Sequence, residues 1–283
     1  MCSATHFIAL IYYTIKVHLN FIERSYFMDN WLQKNNWEEV KRLIEKSKGT
    51  AIIPVGSTEQ HGLHLPLGTD TYVAITLAES AAKETDAIIV PPLWFGWSPH
   101  HMVLPGTITI RAEVLVEYLF DIIKSLSEHN IDKFVIINGH RIVNIIWMQL
   151  AAEKAQRELD VTVKIFDPAY MSKDIVKKLG FGPVGHAEEI ETSHMLYRYE
   201  ELVQLDKAID NPIKPVELYS VDPAYEHDTL CYVPSTIKTA KVHAEEYGGV
   251  TGEPSKSSKE KGKIYHEHLV KNLVKVIRQL QGQ

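Results

Sequence analysis

The strongest pattern in the chain is a set of four short runs of apolar, mostly β-branched residues. They are "TAIIPV" at 50–55, "AIIVPP" at 87–92, "KFVIIN" at 133–138 and "VTVKIF" at 161–166. Each run is almost continuously apolar, which is typical of a strand that is covered on both faces. The pattern therefore predicts four buried strands.

Helical periodicity fills the segments between these runs. Apolar residues recur three and four positions apart at 72–84, 111–128 and 144–159, and a last helical pattern covers 257–281. A further helical pattern begins at Met28. Alternation of strands and helices predicts an α/β fold with parallel strands and helices on both sides of the sheet. We expect the last helix to pack along an edge.

Composition narrows the class of protein. The chain has 283 residues, 45% of them apolar, and a formal net charge of -6. Because it shows no internal repeat or low-complexity linker, residues 28–283 are predicted to form one domain. No run of Lys or Arg dominates, which argues against a nucleic-acid partner. Cys2 and Cys231 are far apart and form no CxxC motif, so a cytoplasmic location is expected.

Residues 1–27 form an N-terminal extension of uncertain status. The stretch "FIALIYYTIKVHLNFI" is interrupted by Lys16 and His18 and is shorter than the roughly 20 apolar residues of a membrane-spanning helix. The segment also lacks the features of a signal peptide. We predict that the extension is not part of the fold and that a membrane partner is not required. The alternative is a membrane-associating or partner-binding segment.

Side chains that can bind metals follow the predicted strands. "TEQHGLHLPLGTD" at 58–70 contains Glu59, His61 and Asp70, and His140 ends the third strand in "IINGHR". Ligands of open α/β sheets bind beyond the carboxyl ends of the strands, so these side chains are expected to converge. Carboxylates combined with imidazoles suit zinc, manganese or iron.

Each candidate also has a structural interpretation. A lone histidine after a strand often packs or caps, and His64 is predicted to be part of the loop structure. The acidic run at 188–191 could be a solvated helix face, although Glu188 and Glu191 would lie one turn apart on one side of a helix. The concentration of ligand-type residues at two strand ends nevertheless favours a metal site.

Five motifs, in order, resemble the creatininase (creatinine amidohydrolase) family. They are "PVGSTEQHGLHLPLGTD", "VLPGTITI", "NGH", "GHAEEIETS" and "GGVTGEPSKSSKEKG". The resemblance implies a three-layer α/β/α sandwich with a mostly parallel central sheet, a two-metal site and assembly into hexamers. It further implies that Glu59, His61, Asp70 and His140 are metal ligands, that Asp70 bridges both ions, and that His186 is the catalytic histidine.

One motif departs from the family pattern. The family commonly has "NGHGGN", or "NGHYEN" with a glutamate ligand, whereas this chain has "NGHRIVN" with Ile142 at the position of that glutamate. Isoleucine cannot bind a metal, so Glu191 is predicted as the missing ligand, with Glu189 in reserve. The loss argues against creatinine as the substrate. Arg141 favours a polar, hydroxyl-rich or anionic substrate, because a guanidinium offers several donors in a fixed fork.

These observations predict a metal-dependent hydrolase. Two divalent ions (Zn, Mn or Fe) would activate a water that attacks a carbonyl of a small cyclic substrate, and His186 would be the general acid or proton shuttle. Arg141 would act in catalysis or specificity. The residues expected to line the substrate pocket are Trp94, Trp97, Ser98 and His101, with core packing as the alternative for the tryptophans.

Three functional hypotheses remain at the sequence level. The favoured one is the opening of a polyhydroxylated, inositol-derived cyclic ketone, as in one branch of the family. The second is cleavage of a cyclic amide or formamide. The third is a degenerate, non-catalytic metal-binding module, which Ile142 in the ligand position supports.

Overall fold

A four-stranded parallel sheet forms the centre of the molecule. The computed structural model describes residues 29–212 and 236–282. The strands are β1 Thr50–Val55, β2 Ile88–Ile89, β3 Lys133–Asn138 and β4 Thr162–Phe166, and their order across the sheet is β2-β1-β3-β4. All pairs are parallel, as predicted.

Nine α-helices surround this sheet within the described residues. They are α1 Trp37–Ser47, α2 Thr69–Thr85, α3 Ala112–Ser127, α4 Ile145–Glu158, α5 Pro168–Met171, α6 Lys173–Leu179, α7 Glu189–Arg198, α8 Ile237–Tyr247 and α9 Lys259–Leu280. Short 3-10 helices lie at Leu32–Lys34, Pro99–His101, Glu200–Leu202, Leu205–Lys207 and Pro254–Lys256.

Alternate residues of the central strands face two separate cores. Ile52 of β1 packs in a core with α2 and α9, whereas Ile53 packs in the opposite core with α1, α3 and α4. Side chains that alternate across a fully covered strand are the reason for its continuous apolar pattern. The predicted three-layer α/β/α fold is confirmed.

The sheet edges differ from the sequence prediction. The strand expected at 87–92 is reduced to Ile88–Ile89, because Pro91 and Pro92 have no N–H groups to extend the ladder. At the other edge β4 is not covered on both faces, since Thr162 and Lys164 are exposed.

Two helix predictions also need correction. From residue 29 onward, the predicted helical pattern is a 3-10 turn followed by α1, which starts only after Asn36 because this residue forms a capping box with Glu39. The last helix, α9, lies against α2 and α7 rather than along a sheet edge.

Several sequence predictions concern segments outside the described residues. These are the extension at 1–27 and the two cysteines, Cys2 and Cys231. In the part of the chain that is described, no helix has both the length and the apolar character needed to cross a membrane.

Candidate metal centre

The ends of β1 and β3 bring the candidate ligands to one place. Val55 pairs with Asn138, and the Gly139 N–H donates to the Val55 carbonyl over 2.7 Å. A side chain on Gly139 would overlap the backbone oxygen of Asp70. Glycine therefore allows the first turn of α2, which carries Asp70, to dock directly on the strand ends.

Two groups of ligand-type side chains share Asp70. One contains Glu59, Asp70 and His140, and the other contains His61, Asp70 and Glu191. Within each group the ligand atoms lie within 4.8 Å of one another, and all five residues are buried. The structure thus brings together all five predicted metal ligands.

The two carboxylate oxygens of Asp70 face different groups. Oδ2 lies 3.2 Å from His140 Nδ1, which is itself 3.3 Å from Glu59 Oε1. Oδ1 lies 3.2 Å from His61 Nε2, which is 3.7 Å from Glu191 Oε2. A carboxylate oriented in this way can bridge two cations.

The polar atoms of the centre fit divalent ions. Glu59 Oε1, Asp70 Oδ2 and His140 Nε2 are buried, and none has a hydrogen-bond partner within the described residues. A buried polar atom without a partner is costly, so a cation that binds the two oxygens would stabilise the centre. Nitrogen and carboxylate donors suit zinc or manganese.

The electrostatics of the centre are dominated by its carboxylates. Burial alone would lower the pKa of His61, but the Asp70, Glu191 and Glu59 carboxylates together outweigh burial and raise this pKa to about 10. The pKa of His140 is raised to about 9, because the Glu59 and Asp70 carboxylates overcome the effect of burial. Burial raises the pKa of Glu59 to about 7. The cluster therefore attracts positive charge.

Glu191, rather than Glu189, points to the centre. The Glu189 carboxylate accepts hydrogen bonds from Lys261 Nζ at 2.5 Å and from the Gly182 N–H at 3.1 Å, away from the candidate ligands. Glu191 Oε2 instead faces His61 and also accepts the Ala187 N–H over 2.7 Å. The geometry therefore supports Glu191, rather than Glu189, as the predicted additional ligand.

The loop around Ile142 has an unusual backbone. Ile142 has a φ of 68°, a left-handed conformation that is costly for a β-branched residue. The Asp167 carboxylate holds it by accepting the Ile142 N–H over 2.7 Å. The preceding residue, Arg141, is 7% exposed, and its Nη2 contacts Glu188 and Glu191.

His186 borders the centre in a defined tautomer. Its Nε2 lies 2.5 Å from the Gln60 carbonyl oxygen, which can only accept, so Nε2 carries the proton. The unprotonated Nδ1 lies 3.6 Å from Glu59 Oε1. Burial, and then the charge of His61, lower the pKa of His186 well below its usual range. Glu59, His61 and His186 also form a third possible ligand group.

A cavity of about 900 Å³ opens over the centre. Its wall includes His101, His140, Arg141, His186 and Glu191. His101 therefore lies where the sequence predicted a substrate contact.

The other three predicted pocket residues are not part of that wall. Trp94 packs edge-on against Tyr72 with ring centroids 5.5 Å apart, and Trp97 packs on the core formed with α3 and α4. Ser98 is fully buried and donates a hydrogen bond to Glu59 Oε2. The alternative of core packing describes Trp97, whereas Trp94 is 36% exposed and belongs to neither core nor cavity wall among the described residues.

Sequence reasoning missed two parts of the site. Gln60, which lies between two predicted ligands in the sequence, was not predicted to be part of the site. Its side chain donates to His101 Nδ1 over 2.8 Å and to the Gly249 carbonyl over 3.0 Å. Helix α8 was also missed, and its His243 and Tyr247 line the cavity. The motif "GGVTGEP" directly after α8 was the one available signal.

Comparison with known proteins agrees with this geometry. The sequence model of the family described as creatininase, creatinine amidohydrolase, matches residues 33–277. The chain is 26% identical over 264 residues to creatinine amidohydrolase of Pseudomonas putida, covering 86% of this chain and 94% of that protein. It is 32% identical over 186 residues to 3-dehydro-scyllo-inosose hydrolase of Thermotoga maritima, covering 62% of this chain but only 59% of that protein.

Solved structures give the same result. A crystal structure of creatinine amidohydrolase superposes with a TM-score of 0.73 at 25% identity, covering 89% of this chain and 98% of that one. Two other solved creatininases are described as "Zn-Zn type" and "Creatininase Mn".

A three-layer fold with buried carboxylates and imidazoles at its strand ends defines a metal-dependent hydrolase. The chain belongs to the creatininase family. The prediction of the family, the fold and the enzyme class is thereby confirmed.

Proposed function

We propose that the chain binds two divalent metal ions and hydrolyses a carbonyl compound of small cyclic structure. Glu59 and His140 would bind one ion, His61 and Glu191 the other, and Asp70 would bridge them. The observation that carries this proposal is the orientation of Asp70, whose two oxygens each lie 3.2 Å from the histidine of a different ligand group.

The protein side chains have distinct tasks in this reaction. When bound, two divalent ions supply an activated water near neutral pH and polarise the carbonyl oxygen of the substrate. His186 presents its Nδ1 lone pair toward Glu59, while its Nε2–H is held by the Gln60 carbonyl. It could therefore accept a proton at Nδ1 and deliver it to the leaving group, which supports the proton shuttle among the two predicted roles.

The substrate proposed first is a polyhydroxylated cyclic ketone. The relative from Thermotoga maritima, at 32% identity, is a 3-dehydro-scyllo-inosose hydrolase. In a ring with a second carbonyl β to the attacked one, addition of water and collapse of the hydrate would break the carbon–carbon bond, giving a carboxylate and an enolate. His186 would return to that enolate the proton taken from the attacking water. Arg141 Nε and Nη1 have no hydrogen-bond partner within the described residues, so they could donate to substrate oxygens.

A second candidate is hydrolysis of a cyclic amide. It is favoured by the creatinine amidohydrolase of Pseudomonas putida, which matches 86% of this chain. The same attack would expel an amine, and His186 would protonate that nitrogen. Ile142 in place of the family glutamate argues against creatinine itself as the amide.

Metal content and turnover together test the proposal. The full chain, purified without added metal, is analysed by inductively coupled plasma mass spectrometry and assayed on cyclic polyol ketones, lactams and formamides. We expect two ions per chain and opening of a ring ketone. Amide cleavage with two ions would select the second candidate. One ion or none, without turnover on any of these substrates, would identify a degenerate metal-binding module instead.

A further inference from the structure

Arg141 is a buried cation that follows directly after the predicted ligand His140. Its Nη2 lies 2.5 Å from Glu188 Oε1 and 2.8 Å from Glu191 Oε1. A single guanidinium nitrogen thus contacts two carboxylates at the start of α7, those of Glu188 and Glu191. A charge buried to this degree persists only when it is paired, so the contacts define where this arginine must lie.

The two oxygens of Glu191 have separate partners because of this contact. Oε1 faces Arg141, whereas Oε2 accepts the Ala187 N–H and lies 3.7 Å from His61 Nε2. Rotation of the carboxylate would break both contacts. Arg141 therefore fixes the orientation of the Glu191 carboxylate, so that one oxygen is directed at His61.

Glu188 balances the charge of the arginine. Its Oε2 accepts the Glu191 N–H over 3.0 Å and so caps α7, while its Oε1 contacts Arg141. Because Glu188 neutralises Arg141, the charge of Glu191 remains available to a cation. The pair also ties the loop after β3 to the first turn of α7.

We propose that Arg141, together with Glu188, is a positioning residue that holds Glu191 in its ligand orientation at the second metal position. This inference rests on the proposed function, because it concerns how one carboxylate is presented to one of the two ions. It gives the loop "NGHRIVN" a role in metal binding although Ile142 has no ligand atom: the neighbouring arginine directs a glutamate from another helix.

Zinc titration of the metal-free full chain tests the proposal. Isothermal titration calorimetry with Zn²⁺ alone is compared for the parent, Arg141→Gln and Arg141→Lys. Loss of a group that orients a metal ligand typically weakens metal affinity about 10–100-fold. We expect a loss of this size at one of two zinc sites in Arg141→Gln, a smaller loss in Arg141→Lys, and no change at the other site.

The matched control is Arg157→Gln, which removes an arginine whose side chain is 76% exposed and which pairs with Glu153. It should bind zinc as the parent does. In a Glu191→Gln background, Arg141→Gln should have no further effect on zinc affinity. Circular dichroism establishes whether each variant is folded. If Arg141→Gln is not folded, zinc binding by Arg141→Lys tests the positioning role instead.

Three results would overturn the proposal: unchanged zinc binding in both Arg141 variants, equal weakening at both zinc sites, or an equally large effect of Arg141→Gln on zinc affinity in the Glu191→Gln background.

Failure of the positioning role can be told apart from failure of the proposed function. A parent that binds two zinc ions but turns over no substrate refutes only the function. An active Arg141→Gln with raised KM and unchanged zinc affinity refutes only the positioning role.

Discussion

At the scale of single residues, Asp70 and His186 should separate metal binding from turnover. Asp70→Ala removes the oxygens that face both ligand groups, so we expect loss of both ions. His186→Ala removes a proton carrier, so we expect retained metal and turnover reduced about 100-fold or more. Metal content of the two purified variants is the measurement. Parent-level metal in Asp70→Ala would contradict the bridging role, and metal loss in His186→Ala would make His186 a ligand.

The metal-binding residues of the centre could be predicted where side chains able to bind a metal lie next to the ends of apolar strands. Glu59, His61, Asp70 and His140 are polar side chains next to buried strands, and such positions are costly unless a ligand uses them. The partner of Arg141 could not be predicted in the same way. Its contacts with Glu188 and Glu191 join residues 47 and 50 positions apart in the sequence.

At the scale of elements, a buried histidine pair joins three helices and should make stability depend on pH. His194 Nε2 of α7 lies 2.8 Å from His266 Nδ1 of α9, and His266 Nε2 lies 3.0 Å from Ser80 Oγ of α2. Burial, and then the charge of Arg198, lower the pKa of His266 to about 3. In the folded chain this histidine therefore stays neutral at mildly acidic pH.

The sign of the effect follows from proton binding. Below pH 6.5, the ordinary pKa of the group, the unfolded chain binds a proton at His266 that the folded chain does not. The free energy of unfolding should therefore fall as the pH is lowered, by about 2 kcal/mol at pH 5 for this group. Urea unfolding at pH 7 and pH 5 measures it. The free energy of unfolding of His266→Gln should depend less on pH than that of the parent. The exposed control His129→Gln should have the same pH dependence as the parent. Equal pH dependence in all three would contradict the prediction.

Elements were predicted best where one physical cause sets their pattern. Burial on both faces produces the apolar runs of β1 and β3, and both strands were predicted with their observed bounds. At β2, the two prolines that fall within the apolar run end the ladder early. Helix α8 has only Ala240 buried among its residues, so its sequence carries no strong apolar stripe by which it could be recognised.

At the scale of the whole molecule, the layers could be predicted and the cavity could not. Strand and helix alternation fixes the parallel sheet and its two helical layers. The cavity instead depends on the way α8 and the segment around Asn211 close over the strand ends, which involves contacts far apart in sequence. For this reason the predicted pocket residues included Trp94 and Trp97, which are adjacent to the site in sequence but lie outside its wall.

A truncation tests where the domain begins. Asn30 and Trp31 already belong to the described core: the Asn30 carbonyl accepts the Ile89 N–H over 2.7 Å, and the buried Trp31 donates to Glu79 Oε1 over 3.1 Å. A chain that starts at Met28 should therefore keep the metal content and urea midpoint of the full chain. A chain that starts at Asn36 loses both contacts and the burial of an aromatic side chain, so its free energy of unfolding should fall by about 3 kcal/mol. Loss of stability already on removal of residues 1–27 would instead place the extension within the domain, because it would then contribute contacts that the core from Asp29 onward does not supply.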